Sequence, residues 1–188
     1  MNKLKVAVTS LLLVVSAILI VYLLANREEK PRHTATNETS LSDASVDKMR
    51  QTSNDFTLNS LSEATAAVDV HFAEKPTVLL FFTSWCPYCN EDAPKIVQLE
   101  KKYKDKINVY GINVAARDNL EDVRDYVQRH HIEYPVLLDE AGDIYNKFGG
   151  VGFPSLYFFN ERGEVADAIV GSADIELIEE AFKNIKGS

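Results

Sequence analysis

The chain has 188 residues and a formal net charge of −8, from 20 Lys and Arg against 28 Asp and Glu. Such a length suits one ordinary domain plus attachments. Residues 55–188 hold 13 basic against 23 acidic side chains, and residues 1–54 hold 7 against 5. An acidic domain without a basic patch argues against nucleic acid as a partner.

Residues 6–25 read VAVTSLLLVVSAILIVYLLA, 20 residues without a formal charge. A helix of that length crosses a hydrocarbon core of about 30 Å. A cleaved signal usually has a shorter apolar region of about 7–15 residues, and Leu23 with Ala25 makes a poor cleavage site. Residues 1–25 therefore read as an uncleaved signal anchor, and no cysteine follows the run to take a lipid. Lys3 and Lys5 precede it while Arg27, Lys30 and Arg32 follow, so the charge count alone is a near tie. The short basic leader favours a single-pass cell-membrane protein with its C-terminal domain extracytoplasmic. Residues 26–54 are rich in Ser, Thr, Asn and charge, without an aromatic, and read as a flexible polar tether. Its root-mean-square span is about 30 Å. Residues 55–188 are the folded domain.

Within the domain, residues 56–58 and 61–72 are expected to add an N-terminal strand and a helix. TVLLFF (77–82) is wholly apolar and fits a strand buried on both faces. Residues 92–104 place Ile96, Val97, Leu99 and Tyr103 at helical spacing, with Pro94 as a kink. INVYGINV (107–114) is a strand. Residues 119–131 put Leu120, Val123, Tyr126 and Val127 on one helical face. Residues 135–138 form a short strand and 143–148 a turn or two of helix. SLYFF (155–159) and 164–171 flank a Gly-containing turn and predict an antiparallel hairpin. An amphipathic helix over 174–186 closes the chain. The order βα-βα-β then ββα predicts an α/β fold, a mixed central sheet with helices on both faces.

Cys86 and Cys89, in TSWCPYCNED, are the chain's two cysteines. Structural zinc usually needs four ligands, and the histidines offer no spaced pair: His130 and His131 are adjacent, His33 is in the tether and His71 is alone. A disulfide closing so short a loop gains little chain entropy. A working dithiol remains. The pair sits between a buried strand and a helix in a βαβ order, where C-x-x-C reads as redox-active. At i and i+3 the side chains share a helix face. At the helix N-terminus, unpaired N–H groups and the dipole favour a thiolate on Cys86, and Pro87 suits a first turn. Cys89, one turn deeper, is expected to be more buried and less reactive. Cys86 is thus the expected nucleophile on a substrate disulfide and Cys89 the resolving thiol. The expected redox group is this Cys86–Cys89 disulfide, with no other cofactor and no metal.

W-C-x-x-C after an apolar strand, with Pro94 five residues past the second cysteine, resembles the thioredoxin superfamily. The segment YPVLLDEAGDIYNKFGGVGFPSLYFFNERGEV (134–165) is similar to its membrane-anchored TlpA/ResA-like branch. The resemblance spans essentially all of residues 55–188 and implies a thioredoxin-like fold with thiol–disulfide exchange. It further implies a cis bond at Pro154, with Phe153 presenting backbone to the substrate, and Trp85, Pro87 and Tyr88 beside it. It suggests a reductase of disulfide-bearing client proteins, apocytochrome c among them, recharged by a membrane electron carrier. Two departures stand out. Thioredoxins carry a buried acid six residues before the first cysteine, where this chain has Leu80. The ResA-like branch instead has an acid three residues after the second, here Asp92, a candidate acceptor for the Cys89 proton; the plainer reading is a first-turn acid serving the helix dipole. Pro87-Tyr88 is closer to glutaredoxins. Potentials across this fold run from roughly −270 to −120 mV, so a disulfide oxidase or isomerase, a redox sensor without turnover, and a peroxidase remain alternatives.

Overall fold

A computed structural model describes residues 55–62, 66–72 and 75–185. Seven strands form one sheet: β1 (Phe56–Ser60), β2 (Ala67–Val70), β3 (Thr77–Phe82), β4 (Asn108–Asn113), β5 (Val136–Leu138), β6 (Ser155–Phe159) and β7 (Val165–Val170). The helices are α1 (Pro87–Tyr103), α2 (Leu120–Arg129), α3 (Asp143–Lys147) and α4 (Ile175–Asn184), with a 3-10 turn at Ala115–Arg117. Strand order is β2-β1-β5-β4-β3-β6-β7. β3, β4 and β5 run parallel, whereas β6, β7 and the β1–β2 hairpin are antiparallel to their neighbours.

β3 shows why the sheet is mixed yet fully covered at its centre. Its six residues are all buried, and alternate side chains of a strand point to opposite faces. Val78, Leu80 and Phe82 pack with Ile96 and Leu99 of α1, Tyr126 of α2 and Phe182 of α4. Leu79 and Phe81 enter a second cluster with Tyr145, Phe148 and Tyr157. Burying each such Leu or Phe side chain contributes roughly 1.5–3 kcal/mol. Central β3 thus ends with the following loop, and the cysteines, at the sheet's C-terminal edge.

One expectation needs correction. Among the described residues of the stretch 61–72 there is no helix: Ala67–Val70 is a strand, paired antiparallel with β1 from Phe56↔Val70 to Asn59↔Ala67. Val70 and Phe72 are buried in the second cluster while Ala67 and Asp69 are exposed, so a period of two governs the segment. The helical pattern read over 92–104 belongs to α1, which starts at Pro87 with Cys86 as its N-cap, where the C-x-x-C spacing had placed the helix N-terminus. Among the described residues no helix is long and apolar enough to cross a membrane; the expected span at 6–25 and the tether at 26–54 lie outside them.

Candidate functional site

The turn from β3 into α1 places the two thiols. Cys86, at φ −72° and ψ 120°, is extended and caps α1, and its Sγ accepts a hydrogen bond from the Cys89 N–H at 3.2 Å. Pro87 follows at the first helical position, where no intrahelical partner for its nitrogen is needed. Both cysteines are buried free thiols. The Cys86 thiol also lies 3.6 Å from the Phe153 carbonyl oxygen, and the Phe153–Pro154 bond is cis. Burial, reinforced by the hydrogen bond with Cys86, pushes the Cys89 thiol far above its ordinary range, and the Asp92 charge pushes the same way.

Side chains that the sequence reading passed over fix this turn. Asp118, after the 3-10 turn, accepts from the Ser84 N–H and Ser84 Oγ, both at 2.5 Å, and from Asn113 Nδ2 at 2.8 Å. Asn90 Nδ2 donates to the carbonyls of Ser84 and Cys86 at 3.0 and 2.9 Å. Its Oδ1 lies 2.9 Å from His130 Nε2, which must then carry the donated proton. Tyr126 donates its hydroxyl to the Cys89 carbonyl at 2.8 Å and stacks on Phe82. The sequence analysis singled out neither Asn90 nor Asp118; Asn119, which follows Asp118, caps α2. The partners of Asn90 and Tyr126 are 37 or more residues away along the chain wherever they join another element, so local pattern could not show them.

Around the thiols lies an apolar surface. Trp85 is 60% and Tyr88 59% exposed. Trp85 is held by its Nε1–H donating to the Arg117 carbonyl at 2.8 Å and stands edge-on to Phe153, with ring centroids 6.2 Å apart. Pro154 is buried beneath. The structure therefore gathers Trp85, Cys86, Cys89, Phe153 and Pro154 at one edge of the sheet, with Pro87 and Tyr88 on the first turn of α1.

Asp92 is 1% exposed and lies in the second turn of α1, so it is not a first-turn acid serving the dipole. Its Oδ1 accepts from Lys95 Nζ and Ser172 Oγ, while its buried Oδ2 has no hydrogen-bond partner among the described residues. Leu80 is buried in the cluster that includes both cysteines. Among the described residues no group of three or more His, Cys, Asp or Glu could hold a metal ion.

Comparison with known proteins agrees with this architecture. Residues 49–168 match the AhpC/TSA family. The thioredoxin-like protein YneN of Bacillus subtilis is 29% identical over 119 residues, covering 63% of this chain and 69% of that protein. The thiol-disulfide oxidoreductase ResA of Bacillus thuringiensis is 30% identical over 117 residues, covering 61% of this chain and 65% of that protein. The matched stretch thus spans about two thirds of either relative's length. Among solved structures, a putative thiol:disulfide interchange protein DsbE from Chlorobium tepidum superposes with a TM-score of 0.63 at 25% identity, over 71% of this chain and 94% of that one. With a mixed sheet, a helix capped by the first cysteine of a C-x-x-C pair, and this match over most of the domain, the chain belongs to the AhpC/TSA family and has a thioredoxin-like fold.

Proposed function

We propose that the protein is a thiol–disulfide oxidoreductase that reduces disulfides in client proteins through Cys86 and Cys89. The observation that carries this reading is the inequality of the two thiols. Cys86 Sγ sits at the start of α1, accepts the Cys89 N–H and lies against the Phe153 backbone; Cys89 is buried and its thiol is pushed up. A sulfur at a helix N-terminus with a donated N–H is placed to act as the nucleophile, whereas burial holds the inner one protonated.

In the forward direction the Cys86 thiolate attacks one sulfur of a client disulfide. A Cys86–client disulfide forms and the other client sulfur leaves as a thiolate. Cys89 then loses its proton, attacks Cys86 Sγ and expels the second client thiolate. The client gains two electrons and, with two protons, two thiols; the Cys86–Cys89 pair ends as a disulfide. Asp92 is the candidate acceptor for the Cys89 proton, since the two lie at i and i+3 on α1 and Oδ2 is uncommitted. The exposed Trp85 and Tyr88, with the Phe153–Pro154 backbone, offer a client an apolar seat flanking the reactive sulfur.

The wider arrangement is a proposal of the same standing. Residues 1–25 form a signal anchor spanning about 6–25, 26–54 a tether and 55–188 the thioredoxin-like domain, extracytoplasmic at the cell membrane. A membrane electron carrier re-reduces the pair, and the clients include apocytochrome c before haem attachment. The ResA relative, a thiol-disulfide oxidoreductase by name, supports thiol–disulfide exchange, and the choice of a reductase rests on the resemblance to the ResA-like branch.

The test is trapping. The Cys89→Ser chain should accumulate mixed disulfides with client proteins that wild type does not hold, and Cys86→Ser should hold none. Their absence from Cys89→Ser, with the thiol of Cys86 still reactive, would remove the turnover reading. A potential near or above about −180 mV would reverse the direction assigned to the electrons.

A further inference from the structure

The two oxygens of Asp92 are treated unequally. Oδ1 accepts from Lys95 Nζ at 2.7 Å and from Ser172 Oγ at 2.6 Å, and Oδ2, equally buried, accepts from no group among the described residues. Lys95 is itself held in place: its Nζ donates a second bond, of 2.7 Å, to the Ala173 carbonyl. The ammonium is thus clamped between α1 and the loop joining β7 to α4. Lys95 also lies one residue beyond Pro94, on the same helix as the thiols.

A carboxylate removed from water takes up a proton unless a charge or donors compensate. Lys95 supplies both to Asp92, whose side chain is 1% exposed against 27% for the lysine. The other titratable groups facing Asp92 are the Cys89 thiol on the same helix and the Tyr126 hydroxyl from α2, and its charge disfavours ionisation of both. Neither competes with Lys95 as a counter-charge.

We propose that Lys95, with Ser172, is a positioning residue for the resolving step: it holds Asp92 through Oδ1, so that Oδ2 is the atom left to take the Cys89 proton. The assignment rests on Asp92 being that acceptor, as proposed above. In the step it serves, the Cys89 S–H bond breaks and its proton passes to Oδ2. The Cys89 electron pair then forms the bond to Cys86 Sγ, the Cys86–client bond breaks, and the client leaves as a thiolate. That thiolate takes a proton from solvent, and Asp92 returns its own to solvent. A plain structural clip between α1 and the following loop would stabilise the fold without touching this proton.

The experiment uses the reduced full chain and an equimolar aromatic disulfide, dithiobis(nitrobenzoate), whose thiolate product is coloured. The first release reports attack by Cys86 and the second reports resolution by Cys89. A positioned general base contributes about 10²-fold or more, so Asp92→Asn should slow the second release by about that factor. Lys95→Met should slow it about tenfold near neutral pH, and Lys95→Arg should recover most of the rate. The first release, which Asp92 does not enter, is the internal control. Wild-type resolution in Asp92→Asn would overturn the Asp92 reading and this one with it. Slow resolution in Asp92→Asn with wild-type resolution in Lys95→Met would overturn the role of Lys95 alone. So would slowing in Lys95→Met that arginine does not rescue or that the first release shares, the mark of a clip. Should Lys95→Met fail to fold, Ser172→Ala removes the second Oδ1 donor: slowed resolution there supports the proposal, and an unchanged second release overturns it.

Discussion

Replacing Asp118 asks whether one carboxylate holds the turn that presents Cys86. Its oxygens accept four donors: the Ser84 N–H and Asn113 Nδ2 on Oδ2, and Ser84 Oγ and the Asn119 N–H on Oδ1. Hydrogen bonds to a charged group contribute roughly 1.5–3 kcal/mol each, but they do not add. In Asp118→Ala the Asn119 N–H lies at the surface and turns to water, and the Ser84 hydroxyl rotates to another partner. The Ser84 N–H and the buried Asn113 amide lack that freedom. Counting those two at the low end gives a loss of about 3 kcal/mol. At about 3 °C per kcal/mol for a domain of this size, the melting temperature falls by about 9 °C. Asp118→Asn keeps the shape and one acceptor, and should lose about half as much. Thermal unfolding of the full chain followed by circular dichroism reads the shift. The first thiol release should slow in parallel, because Ser84 is two residues from Cys86. If both variants melt within about 2 °C of wild type, the carboxylate is not what fixes the turn.

Two further outcomes follow from the same surroundings. Tyr126→Phe keeps the ring stacked on Phe82 and removes the hydroxyl that donates to the Cys89 carbonyl; denaturant unfolding should show a loss of about 1 kcal/mol, and an unchanged midpoint would mean that this bond adds nothing. Burial, with Arg129 and His131 adding to it, lowers the pKa of His130 below its usual 6.5. The unfolded chain therefore binds the proton more readily, and the contribution of His130 is complete above about 6.5 and declines as the pH falls from there toward the lowered native value. His130→Gln should flatten the fall in melting temperature between neutral and mildly acidic pH, and identical slopes in variant and wild type would refute it.

What the sequence showed best was whatever has a short period or a local signature. TVLLFF read as a doubly buried strand because every residue after Thr77 is apolar, and C-x-x-C between strand and helix read as a dithiol because the spacing is the chemistry. The stretch 61–72 misled because Val68, Val70 and Phe72 alternate with exposed Ala67 and Asp69 over too few residues to outweigh a helical reading, and pairing with β1 decides the matter. The start of α1 was legible from the C-x-x-C spacing and Pro87 rather than from periodicity, which shows only from residue 92 onward; the N-cap is indeed Cys86. Asn90, Asp118 and Tyr126 act on the site through partners brought together only by the fold. Lys95 looked like a solvent-facing lysine, and only the packing of the loop at 171–174 against α1 shows its partners.

Leu80 and Asp92 together explain why moving the acid from the sheet to the helix is workable. With Leu80 apolar, the row Val78, Leu80 and Phe82 is unbroken and packs against α1 without a buried charge on the strand. Thiol and carboxylate are then both carried by α1, so their spacing does not depend on how the helix sits on the sheet. The helix alone does not orient the carboxylate, and the loop that does so is joined to the other wall of the site. The Gly171 N–H donates to the Pro154 carbonyl at 2.8 Å, with Gly171 at φ +90°, a conformation in which a side chain would be strained. The next residue, Ser172, reaches Asp92 Oδ1. From the other side, Phe153, bonded in sequence to Pro154, holds its carbonyl against the Cys86 thiol. One run of contacts thus joins the sulfur that a client meets first, the backbone proposed to receive that client, and the clamp on the carboxylate proposed to act last. An acid on β3 would sit under the thiols but outside that run, whereas an acid on α1 held by Lys95 and Ser172 lies within it.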